Sequence, residues 1–291
     1  MSKPQIDIKT TLEARKLFKA KNWSLESSRF ESFMHCLSLL NDDEKQLLLS
    51  LTEKFKEIGI SSHIRELHNA YDKIPKHKVN GAEKIFIYPL TRFFEQKSNK
   101  EIKKIDAKPK SGERMYSLLS SDKVHAFRKN KKIILGEDLS EIFKNFNWEI
   151  DLLILIDDFA GTGDTAHDIC KQFLDLDLTP GRLKPENIIV LTMAAQQKAV
   201  NNLKSINISL YANHISGKGI SSSYPDFQRK ISMMQEMEKK IGMRRRARNR
   251  YSLGFKKSEA LYSFQRPPNN TFPIYWAKTE KIQTPIFPRF D

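Results

Sequence analysis

Five aliphatic residues in a row, Leu152-Leu153-Ile154-Leu155-Ile156, run directly into Asp157-Asp158 and then Phe159-Ala160-Gly161-Thr162-Gly163-Asp164-Thr165. Successive side chains of a strand point to opposite faces, so a strand with no polar side needs cover on both. Residues 151–159 therefore predict a buried strand that ends in two carboxylates. Similar apolar runs occupy residues 84–89, 131–136, 187–194 and 208–215. Helical stretches lie between them at about 113–120, 165–176 and 196–205. This alternation predicts right-handed β-α-β units in an open, mostly parallel α/β sheet.

The flanks read differently. Residues 1–80 are expected to form a helical N-terminal region and residues 81–291 the α/β domain. Asn41-Asp42-Asp43-Glu44 supplies a cap and first-turn acids for a helix carrying Leu47, Leu48, Leu49, Leu51 and Phe55. A second helical stretch covers 61–71, and no strand is expected before Glu83. A further helix is expected from Asp226 to about Arg246. The end of the chain holds Pro267, Pro268, Pro273, Pro285 and Pro288, which predict irregular structure. Its aromatic residues, Phe272, Tyr275, Trp276, Phe287 and Phe290, are expected to pack back onto the body.

Composition narrows the class. The 291 residues include 39% hydrophobic side chains, which excludes a disordered chain. No run approaches the roughly 18 apolar residues of a membrane span. The opening MSKPQIDIKT has no apolar signal segment, and Cys36 and Cys170 make neither a disulfide framework nor a zinc set. A cytoplasmic protein with no membrane partner is expected. Lys and Arg total 50 against 35 Asp and Glu, a formal charge of +15 that calls for an anionic partner.

The segment after the central strand carries the chemistry. Adjacent residues at a strand end face opposite sides, so Asp157 and Asp158 are expected to do different jobs. Gly161-Thr162-Gly163-Asp164-Thr165 offers backbone N–H groups, two hydroxyls and little bulk at a helix N-terminus, which makes an anion nest for a phosphate. Neither the nucleoside-triphosphate loop nor the dinucleotide fingerprint is met. The string 153–165 instead resembles the signature of the type I phosphoribosyltransferases: apolar residues, two acids, two mostly apolar residues, a small residue, then Thr-Gly-x-Thr.

That resemblance implies a fold and a site. Gly161, Thr162, Gly163, Asp164 and Thr165 would hold the 5′-phosphate of phosphoribosyl pyrophosphate (PRPP). Asp157 and Asp158 would face the ribose hydroxyls and place Mg²⁺ through water. The family's pyrophosphate loop would fall on Lys108-Pro109-Lys110-Ser111-Gly112-Glu113-Arg114, with Lys110, Ser111, Gly112 and Arg114 as its contacts. By composition alone this segment reads as a solvated turn, and only beside the signature does the loop reading match it. Two departures stand out. Gly161 replaces an acid that purine-salvage members use as a base, which argues against a simple hypoxanthine-guanine reaction. Asp164 puts a charge beside the expected phosphate, where it should repel unless it caps the helix or meets a cation.

The carboxy-terminal block, Leu253-Gly254-Phe255 through Ser258-Glu259-Ala260-Leu261 to Pro268-Asn269-Asn270-Thr271-Phe272-Pro273-Ile274-Tyr275-Trp276, resembles a narrower group. This is the PRTase-CE family, the phosphoribosyltransferase-like domain of bacterial conflict and antiphage systems. Some of its members accompany retron reverse transcriptases as toxic effectors. The resemblance implies an irregular C-terminal hood in which Asn269, Asn270 or Thr271 approaches a second substrate. It further implies a transfer or removal of phosphoribose at a nucleobase, nucleotide or macromolecule. Between Lys239 and Lys257 there are nine Lys or Arg and no acid. Arg244, Arg245, Arg246, Arg248 and Arg250 suit phosphate, so nucleic acid or a reverse-transcriptase and non-coding RNA complex is an alternative partner. A solvated helix end or an acidic protein fits them equally. The alternative function is a non-catalytic nucleotide sensor or nucleic-acid-binding module.

Overall fold

The N-terminal helices start where the sequence supplies side-chain caps. Asp7 accepts the Thr10 N–H at 2.8 Å to open α1 (Ile8–Ala20), and Ser27 opens α2 (Ser28–Ser38). Asn41 and Glu44 exchange hydrogen bonds across the first turn of α3 (Asp42–Lys54) in a capping box. The structure, a computed structural model, describes residues 6–96, 101–104, 111–121, 132–136, 138–176 and 181–289. It divides into two compact units, Met1–Ile60 with Gly217–Asp291, and Ser61–Ser216. The sequence boundary at residue 80 marks where the main-sheet strands begin, whereas these units follow packing.

In the first unit β1 (Lys56–Glu57) follows α3. The second unit begins its helices with α4 (His63–Tyr71) and α5 (Lys76–Gly81). Then come β2 (Ile85–Pro89), the antiparallel pair β3 (Phe93–Gln96) and β4 (Glu101–Lys104), α6 (Ser111–Ser121), β5 (Ile133–Leu135) and α7 (Leu139–Lys144). β6 (Leu152–Ala160), α8 (Asp164–Asp175), β7 (Ile188–Gln196), α9 (Gln197–Lys204) and β8 (Ser209–Ser216) complete it. The main sheet has five parallel strands in the order β5-β2-β6-β7-β8, so the apolar run forms its middle strand.

The reason is burial. Leu153 and Leu155 pack with Ala166, Ile169, Cys170 and Phe173, the i, i+3, i+4, i+7 face of α8. Ile154 and Ile156, pointing the other way, are also fully buried. At the amino edge, the buried Asp151 carboxylate accepts the N–H groups of Lys84 and Asn147, each at 2.8 Å, which fixes where β2 and β6 begin. The expected α/β sheet is present and mostly parallel; the β3–β4 hairpin went unread.

In the first unit the proline-rich end packs onto α1–α3, as its aromatic content predicts. Phe55 stacks on Phe287 at 4.6 Å between ring centroids and lies 4.5 Å from Tyr275, whose hydroxyl is 3.0 Å from Thr52 Oγ1. Phe290 lies outside the described residues. Two expectations are corrected. A strand does precede residue 83: β1 pairs in parallel with β9 (Tyr262–Ser263), a two-residue pairing too short to leave a periodic signal. The helix expected from Asp226 to Arg246 is two helices, α10 (Phe227–Lys240) and α11 (Arg245–Tyr251), with the chain leaving helical geometry at Gly242 (φ +87°).

α10 buries Met234, Met237 and, unusually, Glu238, which accepts the Leu253 N–H at 2.9 Å. Burial pushes this carboxyl up to about 7 from 4.5. The native state then holds a proton that the unfolded chain has released. Stability should fall as pH rises from about 4.5 to about 7, by on the order of 3 kcal/mol at most, and level off above. Glu238→Gln keeps the acceptor and removes the charge, so thermal melts should show it more stable than wild type at about pH 8 and little different near pH 4.

Candidate active site

The carboxyl edge of the sheet places four sequence segments together within the unit Ser61–Ser216. β2 and β6 are joined beyond their last paired residues by the Leu90 N–H donating to Ile156 O at 2.8 Å. Gly112, the second residue of α6, sits on this join: a Cβ there would stand 2.7 Å from Ile156 O and 3.0 Å from Leu90 N. Only a residue without a side chain lets the helix N-terminus come so near two strand ends. The consequence is chemical. The Ser111 hydroxyl comes within hydrogen-bonding reach of both Asp157 and Asp158, and Arg114 lies close enough to favour the Asp158 anion.

Asp157 and Asp158 are partly buried. Asp157 Oδ1 accepts the Asp158 N–H at 2.8 Å, which turns its carboxylate toward its neighbour. The two acids therefore share one partner, Ser111, rather than diverging to opposite sides as strand geometry alone predicts. Burial, then the neighbouring Asp158 charge, holds Asp157 well above the usual carboxylate range. Burial likewise raises Asp158, against the hydrogen bonds and Arg114 that lower it. The pair titrates as a unit above the ordinary carboxylate range.

The loop that follows is tightly built. Gly161, Thr162 and Gly163 are buried, and Thr165 is exposed on the first turn of α8. Gly163 caps the helix with φ +79°, and a Cβ on it would lie 2.7 Å from Ala199 Cα. Asp164 does not face outward as a bare charge: Thr162 Oγ1 donates to it at 2.8 Å and Asn202 Nδ2 at 3.2 Å. Asn202 also donates to Thr162 O at 3.3 Å. α9 thus holds the loop from behind. Neither Ala199 nor Asn202 was legible as a site residue, because nothing local marks a contact made 38 residues away.

Other expected site residues fall elsewhere. Lys108, Pro109 and Lys110 lie outside the described residues. In the unit containing Gly217–Asp291, Thr271 is fully buried and spends its hydroxyl on Tyr262 O at 2.7 Å. Asn270 O accepts from Ser258 Oγ at 2.7 Å and from the Ala260 N–H. Asn269 Oδ1 accepts from Arg289 and lines a cavity of that unit. Arg245, Arg246, Arg248 and Arg250 lie on α11, and Arg244 immediately precedes it.

A hard divalent cation is usually held by one or two carboxylates, water and substrate phosphates. Asp157 and Asp158 fit that role, since a cation would offset the burial that raises both and the Asp158 charge that further raises Asp157. Among the described residues no cluster of three or more His, Cys, Asp or Glu forms a cage.

A central parallel strand that ends in an acid pair and turns through a glycine loop into a helix, with a second helix N-terminus against the acids, defines a phosphoribosyltransferase-like α/β protein. The PRTase-CE family model matches residues 37–289, and the chain belongs to that family, whose members are phosphoribosyltransferase-like conflict-system proteins. No curated protein and no solved structure matches it. Among the described residues no helix is long and apolar enough to cross a membrane.

Gly163→Ala tests the loop. A left-handed backbone and an approach of 2.7 Å to Ala199 Cα both oppose a Cβ, so a loss of about 2 kcal/mol or more in chemical denaturation is expected.

Proposed function

We propose that the chain binds PRPP with Mg²⁺ at the carboxyl edge of the sheet and transfers or removes phosphoribose at a nucleobase, nucleotide or macromolecule, as an effector of antiphage defence. The observation that carries this reading is the convergence of Ser111 and Arg114 on Asp157 and Asp158, directly ahead of the Gly161–Thr165 loop. Two motifs separated by some forty residues meet at one edge, and each suits a different end of the same polyanion. The loop backbone at the start of α8 suits a terminal phosphate. The acids suit ribose hydroxyls, whose protons they can accept. The N-terminus of α6, an eleven-residue helix, suits pyrophosphate, with Arg114 adding positive charge.

Bound Mg²⁺ would supply charge neutralisation for the leaving pyrophosphate. The chain's own part is to fix the sugar between two anchored phosphate groups, so that C1 loses pyrophosphate as an acceptor approaches. With no nucleophile needed on the protein, the site's work is orientation and electrostatics.

Asp157→Asn with Asp158→Asn removes the ribose and cation ligands at almost constant volume. Mg²⁺-dependent consumption of PRPP, followed as pyrophosphate release, should fall at least a hundredfold. Toxicity in cells should disappear with it. Thermal stability should hold or rise, because the substitution removes two carboxyls that burial penalises when charged and the Asp158 charge that acts on Asp157. If the double variant keeps both PRPP consumption and toxicity, the catalytic reading is wrong.

A further inference from the structure

The unit made of Met1–Ile60 and Gly217–Asp291 has a cavity of its own, of about 760 Å³, to which no role above has been given. Its lining includes Arg244, Tyr251, Asn269, Trp276, Lys278 and Arg289. Glu280 also lines it, so cations exceed anions there. We infer that this cavity binds a nucleotide unit of single-stranded nucleic acid, with the base on the Trp276–Arg289 platform and flanking phosphates along α11.

The platform is assembled before any ligand arrives. Trp276 Nε1 donates to Thr271 O at 2.8 Å, which fixes the plane of the indole. The Arg289 guanidinium lies over that ring, 4.8 Å from its centroid, and is itself held by Asn269 Oδ1. Tyr251 meets the indole edge-on, at 5.5 Å and 83°. Indole and guanidinium groups are surfaces on which any base can stack, and the Asn269 amide adds an edge that can donate.

The charges around it suit a strand. Arg244 is paired with Glu280 at 3.2 Å, but their side chains are 83% and 80% exposed, so the pair contributes little and can be exchanged for a phosphate. α11 turns Ala247 and Tyr251 into the cavity while Arg245, Arg246 and Arg250 are exposed beside it. A free carboxylate would find the cations but would have no use for two aromatic rings. An apolar ligand would have no use for the cations. A base joined to phosphates uses both. The basic stretch from Lys239 to Lys257 thereby acquires an aromatic partner further along the chain, Trp276, with Arg289 over its ring.

Fluorescence anisotropy of the full chain with fluorescein-labelled mixed-sequence RNA and DNA 12-mers tests the assignment. Binding to at least one should be tighter than about 10 μM, the middle of the range of non-specific binding. Log Kd should rise with log salt at a slope of about 1.4 to 2.1, as for two or three phosphates. Trp276→Leu should weaken binding by about tenfold or more, while Trp276→Phe keeps a ring and most of the affinity. Should Trp276→Leu melt early, Arg244→Ala with Arg289→Ala gives a surface test of the same contact and should weaken binding as much. Polyglutamate should displace the strand poorly, and AMP should bind at least tenfold more weakly than it. Absence of binding, binding indifferent to these changes, or equal affinity for polyglutamate or AMP overturns the inference.

Discussion

The chemistry of the α/β unit depends on one close approach, that of Gly112 to the hydrogen bond between Leu90 and Ile156. Just past the end of β2, the Leu90 N–H donates to Ile156 O of β6 and carries the pairing of the two strands one step further. A helix N-terminus can rest on that join only if its second residue has no Cβ. With α6 so seated, Ser111 reaches the acids that end β6 and Arg114 stands near them. Without the approach, the acid pair would lose the one hydroxyl donor that both carboxylates share.

The acids also show how function sits against stability. Burial raises the pKa of Asp157 and of Asp158, and the Asp158 charge raises Asp157 further, a state the fold tolerates because Ser111 and the Asp158 N–H satisfy part of their oxygens. Asp164 follows the opposite logic. Its charge, which beside a phosphate would repel, is occupied by Thr162 and Asn202, so the loop keeps its anion-facing backbone while its acid serves as an internal brace.

How much was readable varies with the range of the interactions. The middle strand was legible because five aliphatic residues in succession have no surface to face, and the loop because glycine and threonine after a strand suit a phosphate. The Gly163 turn was legible as composition, but its contact with Ala199 was not, since the partner helix enters from another part of the sequence. The pair β1 and β9 was invisible for the same reason: two residues pair with two others about 200 positions away and carry no period of their own. The helix over 226–246 was read too long because its amphipathic pattern continues through Gly242, where the backbone turns away.

By itself the sequence determined the class of fold, the adjacent acids that follow the middle strand's apolar run, the glycine turn into the next helix and the family, because each is written in contiguous residues whose local chemistry allows few conformations. Tertiary structure alone decided three things. It made Ser111 and Gly112 part of the acid site, it turned Asp164 into a brace, and it gave the basic α11 an aromatic cavity. Each of those is a contact between segments far apart in sequence. Such a contact is chosen by what the packed core leaves adjacent, and no local pattern records it.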